Sequence, residues 1–148
     1  MATSRRREIV NYLITQLKTI NGSTSQYGYQ FKTNLSQNVF KGLKYIDQIN
    51  DFPAIYIQAG EELYRYNSKT NTEAFMTIMI RIYAHEEHSL YKLEDLVDDI
   101  THVLERVKYD QSHKIISAEI ASIDTDSGLL DPYGLGEIMI TVQYDVDD

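Results

Sequence analysis

The chain has 148 residues, enough for one domain with a real core, and its 43% hydrophobic and 24% charged residues are the proportions of a globular protein. A net charge of −8 speaks against a general nucleic-acid binder, and the absence of cysteine excludes disulfides and thiolate metal sites. No apolar run approaches the ~20 residues of a membrane span, and the basic start Arg5-Arg6-Arg7 is not followed by the apolar stretch of a signal peptide.

The first element reads as a helix from about Arg5 to Thr19. Ile9, Leu13, Leu17 and Ile20 recur at helical spacing, with Val10 and Ile14 beside them. Ser4 suits the N-cap and Gly22 a stop. Arg5, Arg6 and Arg7 sit badly at the positive end of the helix dipole, so they read either as a solvated first turn or as a partner contact.

Tyr27, Tyr29, Phe31, Thr33 and Leu35 alternate with polar residues and predict a first strand. The stretch from Val39 to Asn50 reads as a loop with a short extended piece near Val39-Phe40. Asp51-Phe52-Pro53-Ala54-Ile55-Tyr56-Ile57 predicts a strand with Pro53 at its first residue or on an edge, and with Ile55 and Ile57 facing the core. Gly60, Asn67, Ser68 and Asn71 make the stretch from Ala59 to Asn71 a turn or a long hairpin loop.

The stretch from Ala74 to Lys108 carries the strongest patterning. Ala74, Met76, Ile78, Ile80, Ile82 and Ala84 alternate with residues that include Thr77, Arg81 and Tyr83, which places the aliphatic set on one sheet face. Leu93, Leu96, Val97, Ile100, Val103, Leu104 and Val107 then form a helical stripe. Ser89 suits its cap, with Glu94 and Asp95 in the first turn and Arg106 and Lys108 in the last.

Tyr109 to Lys114 reads as a polar link. Ile115 to Asp124 has apolar residues on both faces, the pattern of an interior strand. The stretch from Asp124 to Gly136, with Pro132, is a loop too long for a tight hairpin. Ile138, Ile140, Val142, Tyr144 and Val146 alternate with Met139, Thr141, Gln143 and Asp145 in the cleanest strand of the chain. Residues 1–148 are therefore expected to be one α+β domain. A mostly antiparallel sheet of about four to five strands packs against two helices, in the order α-β-β-β-α-β-β.

Motifs with chemical content are scarce. His85-Glu86-Glu87-His88 has two histidines three apart, where the helical zinc-protease pattern needs four. A loop could still gather two imidazoles and a carboxylate, so a small metal- or ligand-binding enzyme stays as one alternative. Asp124-Thr125-Asp126-Ser127-Gly128 starts like a calcium loop, but Leu129 and Leu135 stand where Gly and Glu belong, and a turn fits better. Gly134-Leu135-Gly136 precedes a strand and lacks the strand–glycine–helix order of a phosphate cradle. His102 and His113 read as polar surface residues.

The order helix, strands, helix, two strands resembles the tail terminator proteins of long-tailed bacteriophages, the type found in siphophages and myophages. The residues that carry the resemblance are the amphipathic Arg7–Ile20 start, Val39-Phe40 followed by Asp51–Ile57, the strand Phe75–Tyr83 running into helix Leu90–Val107, and the closing Ile138–Val146 strand. The resemblance implies a structural virion protein with no catalytic residue and no cofactor. It implies a hexameric ring that caps the tail tube, stops its polymerisation and joins the tail to the head connector. The implied partners are copies of the chain itself, the tube protein and the connector or stopper, with assembly in the host cytoplasm and a final place in the tail–neck region. A head-completion stopper ring is the nearest alternative.

On this reading genomic DNA passes through the ring without specific binding. Glu61, Glu62, Asp124, Asp126 and Asp131 lie in expected loops, free to make an acidic lumen. Arg5, Arg6 and Arg7 are expected on an outer or axial face. Tyr64 and Tyr66 become candidate partner contacts, because tyrosine in a polar loop adds little to a monomer. Twelve tyrosines against four phenylalanines and no tryptophan suit either such interfaces or half-buried sheet positions.

Overall fold

The computed structural model describes residues 4–25, 28–107 and 115–146. Tyr27, Lys108, the link from Tyr109 to Lys114 and His113 lie outside the described residues. The elements are α1 (Arg5–Leu17), β1 (Val39–Lys41), β2 (Ala54–Ser68), β3 (Asn71–His85), α2 (Ser89–Val107), β4 (Ile115–Thr125) and β5 (Tyr133–Asp145). The strands form one sheet in the order β1-β2-β3-β5-β4. Only β1 and β2 pair in parallel; the other three pairs are antiparallel. The class is α+β, with both helices on one face. α1 lies over β1 and β2, and α2 over β3, β5 and β4.

The core follows from the two periodicities. The even-numbered side chains of β3 from Ala74 to Ala84 are all fully buried. Register places Met76, Ile78 and Ile80 opposite Val142, Ile140 and Ile138 of β5, and Ile80 and Ile82 opposite Ile57 and Ile55 of β2. The helices close over this row with Ile9, Val10, Leu13 and Leu17 from α1, and Leu93, Leu96, Ile100 and Leu104 from α2. Burial of each large aliphatic side chain contributes roughly 1.5–3 kcal/mol. Ser4 caps α1 as expected, its hydroxyl accepting from the Arg7 amide at 3.2 Å.

Several expectations are corrected. Tyr29 to Leu35 keeps its alternation, with Phe31, Thr33 and Leu35 buried, yet it is not a strand. Its only ladder contacts among the described residues are the single bridges Asn21↔Asn34 and Thr24↔Gln30. The segment packs against the helix layer, where alternation still sorts inward from outward side chains. The third strand before α2 is instead the three-residue β1. The stretch from Ala59 to Asn71 is not a loop: β2 runs to Ser68 and β3 starts at Asn71, in continuous register apart from bulges near Ala59/Glu62 and Tyr66/Ser68. Its polar residues decorate strand surface beyond the helices.

β4 is an edge strand rather than an interior one. Its two-sided apolar pattern arises because bulges at Ile115/Ser117 and Ile120/Ser122 shift the alternation twice. α1 ends at Leu17 with Lys18 as its C-cap, so Gly22 is not the stop; at φ +83° it serves the turn that follows. Among the described residues no helix is long and apolar enough to cross a membrane.

Candidate assembly surfaces and family membership

The start of α2 is built from two distant stretches. Ser89 is the first helical residue, not the cap, and the first turn holds no acid. The negative group comes from the β4–β5 connection. The Ser89 amide donates to Asp131 Oδ1 at 2.9 Å, and the Ser89 hydroxyl to the Tyr133 carbonyl at 3.2 Å. The Glu86 amide donates to the Pro132 carbonyl at 2.9 Å. The Ser89 amide holds the Asp131 carboxyl below its usual range. Gly134 lets the helix come this close, since a Cβ there would sit 3.0 Å from Leu93 and 3.2 Å from Ser89.

Asp99 is the group that sequence reasoning missed. It is fully buried on α2, inside the apolar stripe between Leu96 and Val103. Its carboxylate accepts from the Tyr29 hydroxyl at 2.9 Å, the Lys32 amide at 3.0 Å, and the Thr33 amide and hydroxyl at 2.8 and 2.6 Å. These bonds fasten the irregular 29–33 segment to the helix. Burial and the neighbouring Asp99 push the Tyr29 phenol up to about 12. His102 stacks on Tyr29 with ring centroids 4.2 Å apart, and burial and Arg106 lower its pKa. It is half-buried rather than a plain surface residue. An acid within a helical apolar stripe was the available signal, because a buried carboxylate needs donors.

His85 and His88 do not converge. His85 stacks on Tyr133 at 4.3 Å and packs against Phe52, while His88 lies beside Glu87 at 3.8 Å, in the left-handed region at φ +61°. Among the described residues no group of three His, Asp or Glu side chains could hold a metal ion.

The predicted contact residues split into two sets at opposite ends of β3. Arg5, Arg6, Arg7, Glu61, Glu62, Tyr64 and Tyr66 lie at the α1 start and on outer β2, level with the beginning of β3. Asp124, Asp126 and Asp131 lie beyond β5 from that site, level with the end of β3. No single patch of one copy joins them.

Four of the acids are not free. Glu62 pairs with Arg6 at 3.0 Å, and Arg6 also donates to the Gly60 carbonyl at 2.6 Å, tying α1 to β2. Asp124 accepts from the Thr125 amide at 2.9 Å, Asp126 from the Gly128 and Leu130 amides within its own turn, and Asp131 from Ser89. Arg5 lies 3.6 Å from Glu8. Tyr64 and Tyr66 stand on strand rather than loop, with ring centroids 6.3 Å apart, and Tyr66 is 74% exposed.

Besides Leu63 on β2, Tyr91 on α2 and Tyr133 on β5, further exposed apolar side chains lie at the two edges of the sheet. Phe40, Leu43 and Tyr45 flank β1, and Ile116, Ile123 and Leu129 lie on or beside β4. One end of the sheet face away from the helices is covered, where Tyr56, Tyr83, Ile49 and Phe52 pack together and the Tyr83 hydroxyl donates to the Lys44 carbonyl. Among the described residues the features on offer are surfaces.

The comparisons agree with that reading. The chain is similar to the tail tube terminator protein p142 of Escherichia phage T5, 29% identical over 152 residues that cover 94% of this chain and 92% of the relative. In fold it is similar to a chain from the virion of a native gene transfer agent particle, with a TM-score of 0.52 at 9% identity over 73% of this chain and 78% of the other. The profile of the bacteriophage tail tube terminator proteins matches residues 3–148, and the chain belongs to that family.

Proposed function

We propose that the chain closes the growing end of a phage tail as a hexameric ring, stops tube polymerisation and joins the tail to the head connector. It is a structural component of the virion and not an enzyme. The observation that carries the proposal is the family match across residues 3–148, together with a terminator relative aligned over nearly its whole length. The chain assembles in the host cytoplasm before it takes its place on the virion. Tyr64 and Tyr66, exposed side by side on outer β2, act as a contact for the tube or for a neighbouring copy, with Arg5, Arg7 and Glu61 at its border.

Duplex DNA passes the ring without specific binding. The net charge of −8 supports this, since Coulomb repulsion from an acidic wall keeps phosphates from adhering. The lumen acids are fewer than the sequence suggested, because Glu62, Asp124, Asp126 and Asp131 have internal partners; of the five, Glu61 remains.

The test adds purified protein to isolated tail tubes and images them by negative stain. The expected result is a terminal ring and tubes that no longer elongate with added tube protein. Tubes that stay bare and keep growing would sink the reading. Tight, salt-sensitive binding of duplex DNA by the free protein would contradict the low-friction channel.

A further inference from the structure

The charge of this chain is divided across the sheet. From Ile115 to Val146, which covers β4, β5 and their connection, there are six acids and no lysine, arginine or histidine. α2, on the same flank, has five acids against Lys92 and Arg106. On the other flank, Ser4 to Lys18 carries Arg5, Arg6, Arg7 and Lys18 against Glu8 alone. Lys41 and Lys44 stand on β1 and just after it, with Asp47 and Asp51 farther along the connection. The folded domain therefore has an acidic flank at α2–β4 and a basic one at α1–β1.

A second observation falls on the same two flanks. Each ends in a strand with one unpaired edge, and each carries exposed apolar side chains. Phe40, Leu43 and Tyr45 stand beside Lys41 and Lys44, with Tyr45 77% exposed. Ile116, Ile123 and Leu129 stand beside Glu119 and Asp124, with Leu129 88% exposed. Exposed apolar groups of this size beside a charged border mark contact surfaces.

We infer that the α1–β1 flank of one copy docks on the α2–β4 flank of the next, head to tail. This rests on the ring reading above and names its interface. A two-fold contact would set basic on basic or acidic on acidic, whereas the head-to-tail arrangement opposes unlike charges, and such heterologous contacts form a ring when the rotation between copies closes. Strand directions agree. Following the pairings across the sheet, β1 runs opposite to β4, so copies in one orientation place these edges antiparallel. The contact is made by side chains, because two bulges interrupt β4 and β1 is only three residues long.

The test uses charge reversal on each flank. Variant one is Lys41→Glu with Lys44→Glu; variant two is Glu119→Lys with Asp124→Lys. Circular dichroism melts confirm that both fold. Assembly on isolated tail tubes is then measured by native mass spectrometry and negative stain. Each variant alone meets its own charge at every contact, and assembly is expected to fall roughly tenfold or more. An equal mixture restores unlike contacts at each junction of an alternating ring, and assembly is expected to return.

Variants that assemble alone as well as the parent overturn this interface and leave the ring standing. Variants that fail alone and are not rescued by mixing also overturn it, since the two flanks then do not face each other. If the parent itself forms no ring on tubes, the ring reading falls, and this interface falls with it.

Discussion

Thr33 donates twice to one carboxylate oxygen of Asp99, from its amide at 2.8 Å and from its hydroxyl at 2.6 Å. The two residues are 66 positions apart, so the pair ties the connection after α1 to the middle of α2. Asp99→Ala leaves the buried Thr33 amide and the half-buried Lys32 amide without an acceptor. The expected loss is about 3 kcal/mol in urea unfolding. Asp98→Ala, which breaks only the exposed pair with Lys32, should cost much less. Equal losses would remove the structural role of Asp99.

Tyr29 supplies the alkaline counterpart. Its folded pKa, pushed up to about 12, lies above the ordinary value of 10.0. A raised pKa means that the stabilisation is fully present below the unfolded value and is lost as pH rises through the folded one. Stability should therefore decline between pH 10.0 and about 12, and Tyr29→Phe should remove much of that decline. Denaturant midpoints taken across this window, with the phenolate absorbance, test it. An unchanged pH profile in Tyr29→Phe would assign the decline to other groups.

Asp131 should give acid sensitivity of the opposite sign. Its folded pKa is lowered by the Ser89 amide, so its contribution is present above the unfolded value of 3.8 and is lost as pH falls through the folded one. Asp131→Ala should lower the urea midpoint at neutral pH, and the gap to the parent should close in acid. A gap that stays constant with pH would mean that the carboxylate charge is not what holds the start of α2.

Gly134 is expected to tolerate no side chain. A Cβ there meets Leu93 at 3.0 Å and Ser89 at 3.2 Å, and both belong to the first turns of a packed helix. Gly134→Ala should cost about 1–3 kcal/mol through displacement of α2 from β5. Gly136→Ala meets nothing closer than 3.5 Å and should cost much less. Thermal melts of the two variants compare them directly, and a harmless Gly134→Ala would show that α2 can shift without loss.

What the sequence by itself determined was local and periodic. The β3 row from Ala74 to Ala84 and the α2 stripe from Leu93 to Val107 were legible because burial on one face imposes a period of two on strands and 3.6 on helices. The Ser4 cap was legible for the same kind of reason, since its partner is three residues away. The glycines at 134 and 136 were visible, but their purpose was not; it depends on Leu93 standing above them.

Tertiary structure decided everything that joins distant residues. Tyr29 to Leu35 alternates like a strand, yet which partner takes its donors depends on where Asp99 lies, and the helix won over the sheet. β4 looked interior because bulges moved its apolar residues to both faces, and only strand order shows it at the edge. The same is true of charge. Net charge is a sum over the chain, whereas the separation of a basic α1–β1 flank from an acidic α2–β4 flank arises only when the sheet order β1-β2-β3-β5-β4 carries β1 and β4 to opposite edges.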